Sequence, residues 1–239
     1  MMDPNHVREF WELRAERIHD LPFESVGNLE QDAANLVVKR DHETQRVFDV
    51  LTRAGIGADD RVVDLGAGVG QWAFRLAPHV REVVAVERST GFVNIFRDAM
   101  ASRGTPNVRI VHDGAETWRP APDDAPFDAV FISGLFVYLV DAQADTLMRA
   151  LPTYVAPGGT VIVRDGTSIL GTRHAIDRRW SAHLETEYSA IYRTRDEYVA
   201  MFTAAGFRLE EDAPMFPEGH VLNKYPETRL WLYCFRREA

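Results

Sequence analysis

A glycine-rich turn that directly follows an apolar run is the first candidate for a ligand-binding site in this sequence. Residues 62–73 read VVDLGAGVGQWA, so Asp64 stands just before three alternating glycines, Gly66, Gly68 and Gly70. Glycine lets the backbone turn sharply and approach a ligand that a Cβ atom would exclude. Ligands of open α/β sheets bind at the carboxyl ends of strands. The stretch therefore predicts a strand, a ligand-contacting turn and the start of a helix.

The glycine spacing and two carboxylates indicate an adenosine ligand without a pyrophosphate. A dinucleotide fingerprint needs its third glycine at position 71, where this chain has Gln71. Asp64 would repel a pyrophosphate, whereas it suits an amino or sulfonium group. Glu87 ends the next predicted strand, where an acidic side chain can accept hydrogen bonds from both ribose hydroxyls.

The elements that must position these residues are predicted from the alternation of apolar and helix-like stretches, which is typical of βαβ units. Strands are predicted at residues 61–65, 82–87, 108–112, 128–133 and 160–164. Helices are predicted at residues 7–18, 31–54, 70–76, 91–102 and 141–151, the last with Asp141 as its N-cap.

The pattern changes after the fifth predicted strand. Residues 166–194 carry helical periodicity, several ring side chains and no strand signal, so they are interpreted as an inserted helical cap. A helix at 195–205 is expected to stop at Gly206 and to lead into a strand at 207–211. A long loop, 212–228, then precedes the last strand, 229–236.

The glycine motif, Glu87, Asp113, the apolar stretch 127–139 and residues 157–159 together resemble the class I S-adenosylmethionine-dependent methyltransferase family, in its bacterial small-molecule type. The resemblance covers roughly residues 35–239. It implies a doubly wound, Rossmann-like α/β fold with a seven-stranded sheet whose last strand is antiparallel. A single domain is expected, with a helical N-terminal lid (1–60), a cofactor-binding core (61–165), the cap insert (166–194) and a closing helix and hairpin (195–239).

The same resemblance implies the contacts of S-adenosylmethionine. The glycine turn would lie against its methionine and ribose parts, Glu87 would bind the ribose hydroxyls, and the loop that starts at Asp113 would bind the adenine. Residues at the end of the fourth strand would face the sulfonium. The expected cofactor-binding residues are Asp64, Gly66, Ala67, Gly68, Gly70, Trp72, Glu87, Arg88, Asp113, Gly114, Ala115, Ser133, Gly134, Trp11 and Arg40.

Methyl transfer from a sulfonium starts from an activated donor, so alignment of the reactants supplies much of the catalysis. A base is required only where the acceptor must lose a proton. The candidates are His183, Tyr188, Tyr192 and Asp165. Tyr188 and Tyr192 are four residues apart and would share one helical face. The alternative to a catalytic role for these two tyrosines is that their rings only pack the cap against the sheet.

Composition narrows the class of partner. Among 239 residues, 36 acidic side chains exceed 27 basic ones, which disfavours nucleic acid. The single cysteine, Cys234, fits a reducing cytoplasmic setting, and neither a metal-ligand spacing nor a membrane-spanning apolar run is present in the sequence. Residues 1–60 carry 13 acidic and 7 basic side chains, a net −6, which favours a neutral or cationic acceptor.

The function expected from the sequence is transfer of a methyl group from S-adenosylmethionine to N, O or C of a small molecule, in specialised metabolism. Two alternatives keep the same ligand: an enzyme that uses S-adenosylmethionine for other chemistry, and a sensor that only binds it. A nicotinamide-dependent oxidoreductase is a further alternative, and glycine at position 71 would distinguish it.

Overall fold

The computed structural model describes residues 2–16, 33–181 and 186–238. Six helices and nine strands follow one another along these residues. They are α1 (Pro4–Glu16), α2 (Ala33–Arg53), β1 (Arg61–Leu65), α3 (Gln71–Leu76), β2 (Glu82–Glu87), α4 (Thr90–Arg103), β3 (Val108–His112), β4 (Phe127–Ser133), α5 (Asp141–Tyr154), β5 (Val155–Ser168), β6 (His174–Ser181), β7 (Thr186–Tyr192), α6 (Arg195–Ala204), β8 (Phe207–Pro214) and β9 (Thr228–Arg237).

Seven of the strands form one sheet in the order β3-β2-β1-β4-β5-β9-β8. Strands β1 to β5 pair in parallel, and β9 is antiparallel to both β5 and β8. The expected fold class, a doubly wound Rossmann-like sheet whose last strand is antiparallel, is confirmed.

Helices cover both faces of this sheet, which explains why its central strands are mostly apolar rather than alternating. Side chains of β1 take part in two separate cores. Val63 and Leu65 pack with α5 and α6, whereas Val62 packs with α2, α3 and α4. All five residues of β1 are buried, Asp64 included.

The prediction of a helical cap is wrong. Strands β6 and β7 form an antiparallel hairpin with a separate two-stranded sheet. A spacing of four residues is even, so it places Tyr188 and Tyr192 on one face of a strand as well as of a helix. The β-branched and aromatic residues of the segment favour the strand.

Two smaller predictions are also corrected. Asp141 is the first residue of α5 rather than its N-cap, and its carboxylate pairs with Arg193 at 2.8 Å and Arg173 at 2.7 Å. Strand β8 continues to Pro214, because it pairs with β9 up to Trp231, so the loop begins later than expected.

Helix α1 packs against α4 and the β6–β7 hairpin. The helices approach closely at Gly91, where an added Cβ atom would lie only 2.4 Å from the Cβ of Ala15. Phe10 of α1 packs edge-on against Tyr188 of the hairpin, with ring centroids 5.9 Å apart. In the described part of the chain, no helix combines the length and apolarity needed to span a bilayer.

Candidate functional site

A cavity of about 230 Å³ lies at the carboxyl ends of β1, β2 and β4 and is covered on one side by α1. Its wall brings together many of the residues that the sequence predicts for cofactor binding. Those on the wall are Asp64, Gly66, Ala67, Gly68, Trp72, Glu87, Arg88, Ala115, Ser133, Gly134, Trp11 and Arg40.

The glycine turn is fixed by hydrogen bonds to the neighbouring strand. The backbone N–H groups of Gly66 and Ala67 both donate to the carbonyl of Val86, at 2.9 and 3.0 Å. Gly70 precedes α3 with a φ of +87°, and a Cβ atom there would lie 2.2 Å from the ring of Phe96. Gly70 itself is not on the cavity wall, so its contribution is to the shape of the turn.

Two buried carboxylates face the cavity beside this turn. Glu87 accepts hydrogen bonds from the backbone N–H groups of Gly68 at 2.8 Å and Ser89 at 2.7 Å. Asp64 is 1% exposed, and its Oδ2 has no hydrogen-bond partner in the described structure. Burial, helped by the nearby charge of Glu87, raises the pKa of Asp64 from 3.8 to about 7. Burial also raises the pKa of Glu87.

This carboxylate pair fits the ammonium and ribose of S-adenosylmethionine. An unpartnered carboxylate oxygen that is shielded from water gains most from a positively charged donor. Each oxygen of Glu87 holds one backbone N–H and retains a second lone pair for a hydroxyl donor. No grouping of three or more His, Cys, Asp or Glu side chains suited to a metal ion occurs in residues 2–16, 33–181 and 186–238.

Asp113 and Gly114, which the sequence predicts at the adenine, do not reach the cavity wall. Oδ1 of Asp113 accepts hydrogen bonds from the backbone N–H of Gly114 at 2.6 Å and from the hydroxyl of Thr117 at 2.7 Å. The carboxylate therefore stabilises its own turn. A Cβ atom on Gly114 would lie 1.9 Å from the guanidinium of Arg88, which covers this glycine.

Glu116 and Gln143 are two of the polar residues on the wall that were not predicted from the sequence. Glu116 accepts hydrogen bonds from the Arg88 guanidinium and from the side-chain amide of Gln143. Glu116 and Gln143 both line the cavity. Glu116 lies in the turn after β3, and Gln143 lies in α5. Because the two residues belong to different elements, no sequence pattern could predict that they meet.

Helix α1 contributes Trp11 and Glu12 to the wall. The Trp11 ring packs at a tilt against Phe92, with ring centroids 5.8 Å apart. It packs edge-on against Tyr138, with ring centroids 4.9 Å apart. Trp72, predicted to bind the cofactor, lines the cavity and also packs against Phe131, with the ring centroids 4.8 Å apart.

The wall is balanced in charge. Five arginines line it among the described residues (Arg8, Arg40, Arg75, Arg88 and Arg164), as do five carboxylates (Glu12, Glu43, Asp64, Glu87 and Glu116). Arg164 is held by a 2.6 Å ion pair with Glu43 and a 2.9 Å hydrogen bond to Ser133. Most of the acidity of residues 1–60 is not on this wall, so the cavity gives no preference for a cationic acceptor.

Three of the four residues predicted for catalysis, Tyr188, Tyr192 and Asp165, are described by the structure and are not on the cavity wall. Tyr138 lines the cavity, its hydroxyl is 3.3 Å from that of Tyr188, and the hydroxyl of Tyr188 is 3.0 Å from that of Tyr192. Burial raises the pKa values of all three, so the hydroxyls stay protonated at neutral pH. We call these three residues the tyrosine row. His183, also predicted, lies outside the described residues.

Asp165, the fourth predicted catalytic residue, is fully buried behind this row. Its carboxylate accepts hydrogen bonds from the backbone N–H groups of Phe136 at 2.7 Å and Gly166 at 2.8 Å. Burial raises its pKa from 3.8 to about 6. Because Phe136 begins the turn that carries Tyr138, Asp165 fixes the backbone beneath the first tyrosine of the row.

Comparisons with known proteins agree with this geometry. A family model described as a methyltransferase domain matches residues 62–159. Protein-L-isoaspartate O-methyltransferase of Bordetella petrii is 36% identical over 109 residues, which are 45% of this chain and 36% of that protein. Trans-aconitate 2-methyltransferase of Methylobacterium nodulans is 29% identical over 187 residues, 73% of this chain and 68% of that protein. The chain spans less than two fifths of the length of the first curated relatives it matches.

The solved structure described as the DhpI–SAH complex is similar over 99% of this chain and 97% of that one, with a TM-score of 0.67 and 20% identity. That likeness shows the fold. Residues 62–159 thus match a methyltransferase domain, and the fold and the named relatives support the resemblance to the class I S-adenosylmethionine-dependent methyltransferase family, whose cofactor is S-adenosylmethionine.

Proposed function

We propose that this protein transfers a methyl group from S-adenosylmethionine to a small-molecule acceptor. The observation that carries the proposal is the buried pair Asp64 and Glu87 beside the glycine turn, with Oδ2 of Asp64 unpartnered at the cavity. Bound there, S-adenosylmethionine supplies a methyl group already activated by its sulfonium. The chain then has to hold donor and acceptor in line and to exclude water.

The proposed placement follows the order of residues along the wall. Asp64 binds the ammonium of the methionine part, and Glu87 binds the ribose hydroxyls. The backbone of Gly66 to Gly68 lies against the chain that joins them, where a side chain would occupy the ligand's space. Ser133 ends β4 and Gly134 follows it on the same wall, where both face the sulfonium.

The cover formed by α1 supports an acceptor of small size. A protein or nucleic acid segment would have to displace α1, which is anchored to α4 through Glu12 and to the hairpin through Phe10. The relatives act on different acceptors by name, an isoaspartate in a protein and trans-aconitate. Trans-aconitate is the smaller of these, and its methyltransferase is similar over more of both chains.

The tyrosine row supports a role for Tyr138 at the acceptor. A hydroxyl in such a row can either donate to an acceptor oxygen or take a proton while passing its own along the row. Because the raised pKa values keep all three residues neutral, the row acts by hydrogen bonding and proton transfer rather than as a stored tyrosinate.

Calorimetry with S-adenosylmethionine and S-adenosylhomocysteine tests the cofactor part of the proposal. Both should bind the full chain, and Asp64→Asn should weaken binding by about 1–3 kcal/mol because it removes the charge that faces the ammonium. Asp59→Asn, at an exposed position before β1, is the matched control and should bind as the wild type does. Absence of binding by the wild type contradicts the proposal.

The acceptor part is tested with methyl-labelled S-adenosylmethionine and a cell extract of the producing organism. After ultrafiltration, label in a small-molecule product that has gained one CH₂ supports the proposal. Label retained on protein or nucleic acid would overturn the small-molecule part. Consumption of cofactor with no methylated product would favour the alternative of other S-adenosylmethionine chemistry.

A further inference from the structure

Helix α1 turns one face toward the cavity, and that face carries an arginine. Pro4, Val7, Arg8 and Trp11 all line the wall, and their spacing of three and four residues places them on one side of the helix. Arg8 is exposed, and it makes no hydrogen bond or ion pair within residues 2–16, 33–181 and 186–238. Its guanidinium donors are therefore available to a ligand.

Each of the other four arginines on the wall has a partner in the structure. The pairs are Arg40 with Asp41, Arg88 with Glu116, Arg164 with Glu43, and Arg75 with the ring of Trp72. Within the part of the chain that the structure describes, Arg8 is thus the one arginine of the cavity wall whose charge is not matched by a neighbouring group.

Binding of the cofactor adds positive charge to this space. The ammonium and the carboxylate of S-adenosylmethionine cancel, so its sulfonium brings one net positive charge to a wall whose own charges balance. Glu12, one helical turn after Arg8, does not offset this charge locally, because its carboxylate is bound to the N-terminus of α4. The loaded cavity therefore attracts an anionic acceptor more strongly than a neutral or cationic one.

Arg8 lies toward the end of the cavity where the acceptor is proposed to bind. Its neighbour Val7 packs in one apolar cluster with Ile191, Trp11 and Tyr138. Trp11, three residues after Arg8, lies edge-on to Tyr138 with ring centroids 4.9 Å apart. The proposed ribose site is instead beside the opposite end of α1, where Glu12 meets α4. Arg8 can therefore reach a group on the acceptor.

We propose that the acceptor carries an oxyanion, either a carboxylate or a phosphate, and that Arg8 binds it. The planar fork of a guanidinium matches both groups with two parallel hydrogen bonds. Arg8 is in this way a specificity-determining residue that selects an acidic acceptor. The inference rests on the proposed function, because it takes methyl transfer to a small molecule as the reaction.

The test separates the small molecules of a cell extract on an anion-exchange column at pH 7 and supplies each fraction to the full chain with methyl-labelled S-adenosylmethionine. Label should enter compounds of the retained, anionic fraction. Arg8→Gln should raise the amount of that fraction needed for half-maximal rate by about five- to tenfold, while the maximal rate changes less than about twofold. Arg8→Lys should fall between the two, because it keeps the charge and loses the fork.

Arg149→Gln is the matched control, because it removes an equal charge from an exposed position of α5 that is not on the wall. It should behave as the wild type does. Two treatments of the retained fraction identify the anion. Loss of acceptor activity after carbodiimide coupling to an amine indicates a carboxylate, and loss after alkaline phosphatase indicates a phosphate ester. Activity that survives both treatments would overturn the assignment to these two groups.

The outcomes separate this inference from the proposed function. If neither fraction yields a methylated small molecule, the proposed function fails. If only the unretained fraction is methylated, or if Arg8→Gln needs no more acceptor than the wild type, the role of Arg8 is overturned and the proposed function stands. Affinity for S-adenosylhomocysteine should be the same in Arg8→Gln and the wild type. A fivefold loss of that affinity would place Arg8 at the cofactor and also overturn the inference.

Discussion

The carboxylate of Glu12 in α1 accepts a 3.0 Å hydrogen bond from the hydroxyl of Ser89, the N-cap of α4. It also accepts from the backbone N–H groups of Thr90 at 3.0 Å and Gly91 at 3.2 Å. A negative charge at a helix N-terminus is stabilising. Ser89 in turn donates its own backbone N–H to Glu87. The helix that covers the cavity is thus anchored next to the residue proposed to bind the ribose.

Glu12→Gln should loosen this anchor. Loss of the charge at the N-terminus of α4 should cost about 1 kcal/mol, which corresponds to about a fivefold weaker binding of S-adenosylhomocysteine. Amide hydrogen exchange in residues 4–16 should become faster. Glu9→Gln changes an exposed residue of the same helix and should alter neither measurement. Unchanged affinity and exchange in Glu12→Gln would show that α1 is not a lid held by Glu12.

Asp64 should make both stability and binding depend on pH. Its pKa is raised from 3.8 to about 7, so the folded state binds its proton more tightly than the unfolded state does. The stability it contributes is complete below pH 3.8 and is lost as the pH rises to about 7. An ammonium ligand favours the ionised carboxylate, so binding near pH 6 should release protons.

Calorimetry in buffers of different ionisation enthalpy measures that release. At about pH 6 the observed binding enthalpy of S-adenosylhomocysteine should vary with the buffer in the wild type. Asp64→Asn should remove the proton release that comes from Asp64, and with it that share of the buffer dependence. Asp59→Asn should retain the buffer dependence of the wild type. The same proton release in wild type and Asp64→Asn would mean that the ligand's ammonium does not meet this carboxylate.

The strands of the core were predictable because their composition is decided by burial. A parallel strand covered on both faces is mostly apolar, and β1 to β3 were predicted with the bounds that the structure shows. The hairpin was not predictable in the same way. Its two tyrosines are four residues apart, and that spacing fits both a helix and a strand.

The candidate site was predictable where its residues lie at the carboxyl ends of strands. Asp64 and Glu87 stand at the ends of β1 and β2, and the sequence alone placed both at one edge of the sheet. Glu116 and Gln143 come together only through the packing of α5 beside the turn after β3. Asp113 was assigned from the resemblance, but its carboxylate is used within its own turn.

Tyr138→Phe should slow methyl transfer without weakening cofactor binding. The change removes the hydroxyl that begins the tyrosine row and keeps the ring that packs on Trp11. Label transfer to the small-molecule fraction should slow by about tenfold or more, whereas the Kd for S-adenosylhomocysteine should change less than about twofold. Tyr154→Phe alters a buried tyrosine of α5 away from the cavity and is the control. An equal rate in wild type and Tyr138→Phe would remove Tyr138 from the acceptor site.

An added methyl group should destabilise the fold more at Gly70 than at Gly68. Both have positive φ, +87° and +58°, so alanine at either position is strained by the backbone. At Gly70 the new Cβ would also meet the ring of Phe96 at 2.2 Å, whereas nothing lies within 4 Å at Gly68. Gly70→Ala should therefore lower the free energy of unfolding by about 1–3 kcal/mol more than Gly68→Ala does, as measured by urea denaturation.

For cofactor binding, measured on folded protein, Gly68→Ala should be the more damaging of the two substitutions. The space beside Gly68 is part of the cavity wall, so the methyl group of Gly68→Ala would occupy room proposed for the ligand. Calorimetry with S-adenosylhomocysteine should find weaker binding to Gly68→Ala than to Gly70→Ala. If both variants bind equally and unfold at the same urea concentration, the open space at Gly68 is not where the cofactor lies.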